Sequence, residues 1–155
     1  MSRVQLALNV ADLDASVAFY SKLFGVEPAK RRPGYANFAV TDPPLKLVLI
    51  EGEAGRDTRL DHLGVEVDST DDVTAAITRL KDAGLATFEE NDTSCCYALQ
   101  DKVWVHGPGK EPWEVYVVKA DAERMGKSSA PGADACCGGG PEVDPAPAAA
   151  CVCGG

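Results

Sequence analysis

The sequence has no long apolar run and a shortage of positive charge. No stretch approaches the roughly 18 consecutive apolar residues of a membrane-spanning helix, and Arg3, Asp12 and Asp14 interrupt the region where a secretory signal would carry its apolar core. The 155 residues include 15 Lys plus Arg against 24 Asp plus Glu, which leaves a formal charge of −9. Because an acidic surface repels phosphate backbones, we expect a cytoplasmic protein that partners neither nucleic acid nor a membrane.

The last part of the chain has no aromatic residues. The 2 Trp, 4 Tyr and 4 Phe all lie at or before Tyr116, and residues 120–155 are rich in Ala, Gly and Pro. Such a composition cannot bury enough apolar surface to offset chain entropy. The sequence therefore predicts a folded domain over residues 1–119 and a disordered tail over 120–155 that is dispensable for catalysis.

The 6 cysteines of the chain form three close groups. These groups are Cys95-Cys96 in the domain, and Cys136-Cys137 and Cys151-Val152-Cys153 in the tail. A cytoplasmic chain gives no reason to expect a disulfide framework, whereas adjacent thiolates are well placed to share one soft metal or metalloid ion. The tail groups alone are equally compatible with chance clustering among small residues, but the three groups together favour thiol chemistry.

The two halves of the domain repeat one pattern. Val4–Val10 and Asp61–Val67 lie 57 positions apart, and both alternate apolar with other residues, as half-buried strands do. A helical pattern between a capping residue and a glycine follows each strand, and strand-like runs come after it. The caps and glycines are Asp12 and Gly25 in the first half and Ser69 and Gly84 in the second. The repeat predicts an α+β fold in which two βαβββ modules, at about 3–52 and 60–119, form a curved mixed sheet.

Alternation along three of these strands places three polar side chains on one face of the sheet. In the first strand the apolar residues suit the face that packs against a helix, which leaves Gln5 on the other face. The same reasoning leaves His62 and Glu114 on the non-helix faces of their strands. If the two modules curl around one cavity, these three side chains point into it. Taken singly, each would be an ordinary polar residue on a solvent-exposed sheet face.

Paired modules with these inward side chains look like the vicinal oxygen chelate superfamily of glyoxalases, bleomycin-resistance proteins and extradiol dioxygenases. The resemblance covers residues 3–118, and the stretch 12–25 is close to that superfamily's usual first helix. The closing turn Gly107-Pro108-Gly109 departs from the usual Asp-Pro-x-Gly ahead of the final Glu strand. The resemblance implies one metal site enclosed by the two modules.

A glyoxalase-like metal site implies four protein ligands, two from each module. The counterpart of Glu114 in the first module is Lys46, whose ammonium has no lone pair to offer a metal. Three ligands would then remain: Gln5 by its amide oxygen, His62 by a ring nitrogen and Glu114 by its carboxylate. An octahedral ion would keep three open positions, as in Fe(II) oxygenases. An amide oxygen is a weaker donor than imidazole, so we expect weak metal retention.

The Cys95-Cys96 pair and the cysteine-rich tail make the chain similar, more narrowly, to the organoarsenical carbon–arsenic lyases, whose relatives are described as cadmium-induced proteins. That similarity implies Fe(II)-dependent, dioxygen-consuming cleavage of trivalent methyl- or aryl-arsenicals to arsenite. Fe(II) is then the expected cofactor, with other divalent metals able to occupy its site, and O₂ is the co-substrate. We expect a monomer or homodimer whose partner is a small-molecule organoarsenical.

The second module exceeds the first mainly between Gly84 and Pro112, where a polar, turn-rich stretch ends in Cys95 and Cys96. We expect an added loop whose two thiols bind the arsenical and act in catalysis beside the metal. The alternative is a long hairpin with two buried small residues. We expect an exposed side chain for Lys102, in the same segment.

Two other classes of function stay open. Another enzyme on this fold, an extradiol-type dioxygenase or a glutathione-dependent transferase, would tolerate replacement of Cys95 and Cys96. A protein that only binds and sequesters cadmium or arsenite would need the thiols, but it would not need Gln5, His62 or Glu114.

Overall fold

Two βαβββ modules follow each other along the chain in the computed structural model, which describes residues 1–123 and Gly126. The first module consists of β1 (Arg3–Val10), α1 (Leu13–Phe24), β2 (Lys30–Arg32), β3 (Tyr35–Val40) and β4 (Leu45–Glu51). The second consists of β5 (Arg59–Glu66), α2 (Thr70–Asp82), β6 (Phe88–Cys95), β7 (Ala98–His106) and β8 (Pro112–Asp121). The repeat seen in the sequence is therefore a repeat of structure.

Both helices begin and end where the sequence predicts. The Asp12 side chain accepts a hydrogen bond from the Ala15 N–H at the start of α1, and Gly25 ends that helix in the left-handed region with φ 67°. The Ser69 side chain caps α2 in the same way, and Gly84 follows it with φ 76°. A residue with a side chain is strained at such φ values, which is why glycine stops both helices.

The eight strands form one curled, half-barrel sheet in the order β2-β3-β4-β1-β5-β8-β7-β6. The first strands of the two modules, β1 and β5, pair antiparallel at the centre of the sheet. Each first strand also pairs parallel with the last strand of its own module, β1 with β4 and β5 with β8. The predicted α+β fold with a mixed sheet is confirmed.

The two faces of the sheet differ in chemistry. One face packs against the helices: Val10, Leu13 and Val17 belong to a buried cluster around α1, and a second cluster joins α2 to β7 and β8. The opposite face buries polar side chains from the central strands. This separation follows from strand alternation, which sends every second residue away from the helices.

Within the described part of the chain, no helix is long and apolar enough to cross a membrane. The tail cysteines Cys136, Cys137, Cys151 and Cys153 lie outside the described residues. Ala120 and Asp121 belong to β8, so the folded part extends beyond the predicted boundary at residue 119. The proposed disorder of the rest of the tail stays a prediction.

Candidate metal and thiol site

Gln5, His62 and Glu114 meet at the centre of the sheet. The Gln5 Nε2 atom lies 2.9 Å from His62 Nε2 and 2.8 Å from Glu114 Oε1. The same two atoms of His62 and Glu114 are 3.3 Å apart. All three side chains are buried, at 4%, 2% and 2% exposure. The structure thus brings together the three residues that the sequence repeat singles out, one from the first module and two from the second.

Gly64 makes room for this group. It pairs with Gln5 across the β1–β5 boundary and with Glu114 across the β5–β8 boundary. A Cβ atom at this position would lie 3.1 Å from the Glu114 Cγ atom and 3.3 Å from the Gln5 Cβ atom. The absent side chain is therefore what lets the two polar side chains approach from neighbouring strands.

Asp61 orients the His62 ring. A register shift between β1 and β5 pairs Leu8 with Leu60 and Ala7 with His62, which leaves Asp61 as the extra residue of a β-bulge. Its Oδ1 atom lies 2.6 Å from His62 Nδ1, so Nδ1 donates to the carboxylate and Nε2 faces Gln5 and Glu114. Strand alternation alone would send Asp61 away from its neighbour, and for that reason the sequence did not reveal this contact.

The His62 ring is also held electrostatically. Burial opposes protonation, but the facing Glu114 carboxylate, helped by Asp61, outweighs burial and raises the pKa of His62 to about 10. A metal-binding histidine commonly donates its second ring nitrogen to a carboxylate, and the Asp61–His62 pair has that arrangement.

Lys102 is buried beside Glu114, which corrects the expectation that it is exposed. Its exposure is 1%, and its Nζ atom lies 2.7 Å from Glu114 Oε2. Burial opposes ionisation of Glu114, but Lys102 and then His62 overcome that effect and lower the pKa of Glu114 to about 2. Lys102 thus holds one carboxylate oxygen, while the other oxygen faces His62 and Gln5. A lysine in the middle of a strand usually indicates an exposed face, and only the register of β7 beside β8 shows otherwise.

Lys46 lies next to the site without joining the ligand group. Its Nζ atom forms a salt bridge of 3.1 Å with Glu66 Oε2 and lies 5.0 Å from the centre of the Tyr116 ring. The Lys46 ammonium therefore serves as a counter-charge at the position where glyoxalase-like sites imply a fourth ligand.

The Cys95-Cys96 pair lies at a hairpin turn, so the expected added loop is a long hairpin; of its two cysteines only Cys95 is buried, and Cys96 is partly exposed. The stretch from Asn91 to Cys95 belongs to β6, and Cys95 pairs directly with Ala98 across a two-residue turn. Cys96 and Tyr97 both have left-handed backbones, with φ 54° and 60°, the signature of a type I′ turn. That conformation is costly for residues with side chains, about 1 kcal/mol or more each.

The hairpin turn places the two thiols together and next to the polar group. The two Sγ atoms are 3.2 Å apart, too far for a disulfide bond of about 2.05 Å. Cys96 lines a cavity of about 50 Å³ together with Gln5, His62 and Glu114. Cys95 is buried at the end of β6. Cys96 and the polar group therefore share one small cavity, and Cys95 lies directly behind Cys96.

The residues fit a divalent cation. Adjacent ligands of an octahedral cation are roughly 3.0 Å apart when each bond is about 2.1 Å long, and Gln5 Nε2, His62 Nε2 and Glu114 Oε1 are 2.8–3.3 Å apart. A metal would need the Gln5 amide oxygen, and not the nitrogen, at that position. No group of three His, Cys, Asp or Glu side chains in the described residues could hold a metal. The third protein donor available to a metal beside His62 and Glu114 is the Gln5 amide.

Comparison with known proteins agrees with the fold. The family model for the "Glyoxalase/Bleomycin resistance protein/Dioxygenase superfamily" matches residues 3–115. The chain belongs to this superfamily. Among solved structures it is similar to the Mn(II)-bound glyoxalase from Novosphingobium aromaticivorans, with a TM-score of 0.56 and 25% identity over 80% of this chain and 42% of that one.

Two groups of curated relatives are more similar in sequence. A "Trivalent organoarsenical cleaving enzyme" from Thermomonospora curvata is 68% identical over 137 residues, which cover 88% of this chain and 89% of the relative. A "Cadmium-induced protein CadI" from Mycobacterium tuberculosis is 64% identical over 126 residues, which cover 81% of this chain and 82% of the relative. A protein named as an enzyme and one named as cadmium-induced thus share most of this sequence.

Proposed function

We propose that this protein is an enzyme that cleaves the carbon–arsenic bond of trivalent organoarsenicals and releases arsenite, with Fe(II) as cofactor and O₂ as co-substrate. The observation that carries this proposal is the cavity that Cys96 lines together with a mixed nitrogen–oxygen donor group. The second thiol, Cys95, lies 3.2 Å from Cys96, sulfur to sulfur. The high identity to a protein named as a trivalent organoarsenical cleaving enzyme supports the same substrate class.

Cys95 and Cys96 would bind the arsenical. A trivalent organoarsenical carries two exchangeable hydroxyl groups, and two thiols replace both of them with release of two waters, forming two As–S bonds. Thiolate is a soft ligand and suits this soft centre. With their sulfurs 3.2 Å apart, the two thiols are placed for one arsenic atom to bridge them. Arsenic held there would leave its third substituent, the carbon group, close to the polar group.

Gln5, His62 and Glu114 would hold the metal. Their donor atoms, an amide oxygen, an imidazole nitrogen and a carboxylate oxygen, suit a divalent first-row metal such as Fe(II). When bound, Fe(II) would supply the one-electron chemistry that lets O₂ react with a closed-shell substrate. Asp61 would keep the His62 Nε2 atom facing the cavity, and Lys102 would neutralise the Glu114 oxygen that does not face it.

The overall reaction balances for the simplest substrate. One methylarsenite and one O₂ contain the atoms of one arsenite and one formaldehyde, and the two electron pairs that O₂ gains come from the carbon–arsenic unit. No further reductant is needed for this stoichiometry. The proximity that the thiols impose between substrate and cofactor is a recognised source of rate acceleration.

The second candidate function is sequestration of soft ions such as cadmium or arsenite. The 64% identity to cadmium-induced proteins and the 6 cysteines favour it. Sequestration gives no role to the buried group of Gln5, His62, Glu114 and Lys102, whereas the proposed enzyme uses that group to hold its metal. A different extradiol-type dioxygenase would account for the polar group but not for the strained thiol turn.

One incubation separates these functions. The protein is mixed with Fe(II) and methylarsenite, with and without O₂, and arsenite and formaldehyde are measured. The proposal expects both products in equal amounts and only in the aerobic sample. Binding of methylarsenite without any release of arsenite would contradict the enzymatic function and support sequestration. Unchanged methylarsenite with no binding would contradict both.

A further inference from the structure

Tyr116 connects Gln5 to Glu66, a carboxylate behind the site that is paired with Arg3 and Lys46. It is fully buried on β8, two residues after Glu114. Its hydroxyl lies 3.0 Å from Glu66 Oε2 and in short hydrogen-bond contact with Gln5 Oε1. One phenolic oxygen therefore faces two acceptor oxygens, although it carries a single proton.

Glu66 accepts the hydrogen bond that this proton makes, while the proton stays on Tyr116. The Arg3 guanidinium contacts both carboxylate oxygens of Glu66, and Lys46 lies 3.1 Å from Oε2. Burial opposes ionisation, but Lys46 and Arg3 outweigh burial and lower the pKa of Glu66. An ionised carboxylate can only accept hydrogen bonds. The Tyr116 hydroxyl must therefore donate to Glu66, which leaves a lone pair facing Gln5.

A lone pair on the Tyr116 oxygen can accept a hydrogen bond, and of the two ends of the Gln5 amide only the nitrogen can donate one. A half-turn of the Gln5 amide exchanges the positions of Oε1 and Nε2 and leaves the rest of the side chain in place. The nitrogen then donates to Tyr116, and the oxygen takes the position 2.8 Å from Glu114 Oε1 and 2.9 Å from His62 Nε2. Two acceptor oxygens at that separation repel each other unless a cation lies between them.

Gln5 thus has two neighbours that compete for its one NH₂ group. The Tyr116 oxygen would accept a hydrogen bond from this group on one side, and Glu114 Oε1 would accept one on the other. A divalent cation between Gln5, His62 and Glu114 would remove the second demand, because Glu114 would then bind the cation. Glu66 and a bound metal ion would therefore favour the same orientation of the Gln5 amide, with its nitrogen toward Tyr116 and its oxygen toward the cavity.

We propose that Tyr116 and Glu66 are positioning residues that turn the oxygen of the Gln5 amide toward the metal. This inference rests on the proposed metal site. It explains how a glutamine, whose amide oxygen can bind a metal and whose amide nitrogen cannot, would present its oxygen to the metal. Loss of a partner that orients a metal ligand typically weakens metal affinity about 10–100-fold.

The test is a double-mutant cycle on the affinity of the full-length protein for Mn(II) alone, measured from the electron paramagnetic resonance signal of free Mn(II). Tyr116→Phe keeps the ring and its contact with Lys46 but removes the hydroxyl. In the natural Gln5 background we expect a loss of affinity of about 10-fold or more. In the Gln5→Glu background we expect a much smaller loss, because the two oxygens of a carboxylate are equivalent and need no orientation.

Two controls make the result specific. Tyr20→Phe removes a tyrosine hydroxyl on α1, which packs against the helix-side cluster and not against the site, and should leave Mn(II) affinity unchanged. Equal losses from Tyr116→Phe in both backgrounds, or no loss in the natural one, would overturn the positioning role. If His62→Ala keeps the full Mn(II) affinity, the metal binds elsewhere, and the proposed function fails together with this inference.

Discussion

The Nε2 atom of His62 lies 3.3 Å from the Oε1 atom of Glu114, across the parallel boundary between β5 and β8. Both groups are buried, and burial of charges is unfavourable unless each has a partner. Asp61 behind His62 and Lys102 behind Glu114 supply those partners. The site is therefore a buried row of alternating charges, in which a cation could take the place of the proton between His62 and Glu114.

Glu114→Gln should separate metal binding from arsenical binding. The amide is nearly the same size as the carboxylate, but it carries no charge to hold a divalent cation. We expect loss of Fe(II) binding and of O₂-dependent arsenite release, while methylarsenite still binds because Cys95 and Cys96 remain. Binding of each ligand is measured by equilibrium dialysis under anaerobic conditions.

Glu53→Gln is the matched control for this variant. Glu53 is exposed and pairs with Arg56, so its replacement should leave both kinds of binding unchanged. If Glu114→Gln still binds Fe(II) as tightly as the natural protein, Glu114 is not a ligand of the metal.

Serine in place of Cys95 or Cys96 should have the opposite effect. Serine keeps the approximate size but offers a hard, protonated oxygen where arsenic requires a thiolate. We expect turnover of methylarsenite to fall by at least about 100-fold, which corresponds to about 3 kcal/mol of lost transition-state stabilisation, with Fe(II) affinity nearly unchanged. Arsenite release and Fe(II) binding are followed on the same samples.

The tail cysteines provide the comparison for the thiol pair. The double variant Cys136→Ser, Cys137→Ser should release arsenite at the natural rate when the substrate is saturating. A sequestering protein behaves differently, since its binding capacity would fall with each thiol removed, and the tail thiols would count as much as Cys95 and Cys96. Near-normal turnover in the Cys95 or Cys96 variants would refute the two-part site.

The sequence predicts the three residues that meet in the candidate site because the chain repeats itself. Alternation placed Gln5, His62 and Glu114 on one face, and the repeat placed their strands at equivalent positions. Neither signal could reveal Asp61, because its contact with His62 depends on a β-bulge that breaks the alternation. Bulges arise from how two strands meet and leave little trace in either strand alone.

The remaining differences also come from contacts between distant strands. Lys102 is buried because β7 pairs it with Tyr116 on β8, where Glu114 can neutralise it. The sequence does not indicate the tight turn between β6 and β7, because its two residues, Cys96 and Tyr97, are unusual in a type I′ turn, which normally uses Asn and Gly. At Lys102 and at the Cys96-Tyr97 turn, contacts between strands outweigh the local preferences of the residues, and both positions border the proposed site.

Lys102→Met should destabilise the metal-free protein and make it more dependent on metal. Methionine has a similar length but no charge, so Glu114 would lose one of its two facing cations. Breaking a buried ion pair typically costs about 3–5 kcal/mol. We expect a loss of this order in the free energy of unfolding, measured with urea in the presence of a chelator, and a partial recovery when Mn(II) is added.

Lys81→Met is the corresponding surface variant. Lys81 pairs with Glu89 on the exposed side of the protein, where an ion pair contributes less than about 1 kcal/mol. The free energy of unfolding of Lys81→Met should therefore change little, and it should respond to Mn(II) as that of the natural protein does. A stability loss in Lys102→Met that Mn(II) does not reduce at all would show that the metal does not interact with Glu114.

Gly64→Ala should damage the site while the fold survives. The backbone of Gly64 is in a region that alanine can adopt, so any effect must come from the added methyl group, which would lie 3.1 Å from Glu114 Cγ and 3.3 Å from Gln5 Nε2. Because both neighbours are buried on paired strands, they can yield only by moving apart. Inserting a methyl group into a packed interior usually costs about 1–3 kcal/mol.

The decisive comparison is with Gly52→Ala, where the added methyl group would have only ordinary contacts, the shortest 3.8 Å from Asn9 Cβ. We expect Gly52→Ala to keep its Mn(II) affinity and Gly64→Ala to lose about 10-fold or more, in line with other changes that misplace metal ligands. Circular dichroism checks that both variants fold. If folded Gly64→Ala binds Mn(II) with natural affinity, then the close approach of Gln5 and Glu114 that only glycine permits is not what forms the metal site, and the ligand set must be revised.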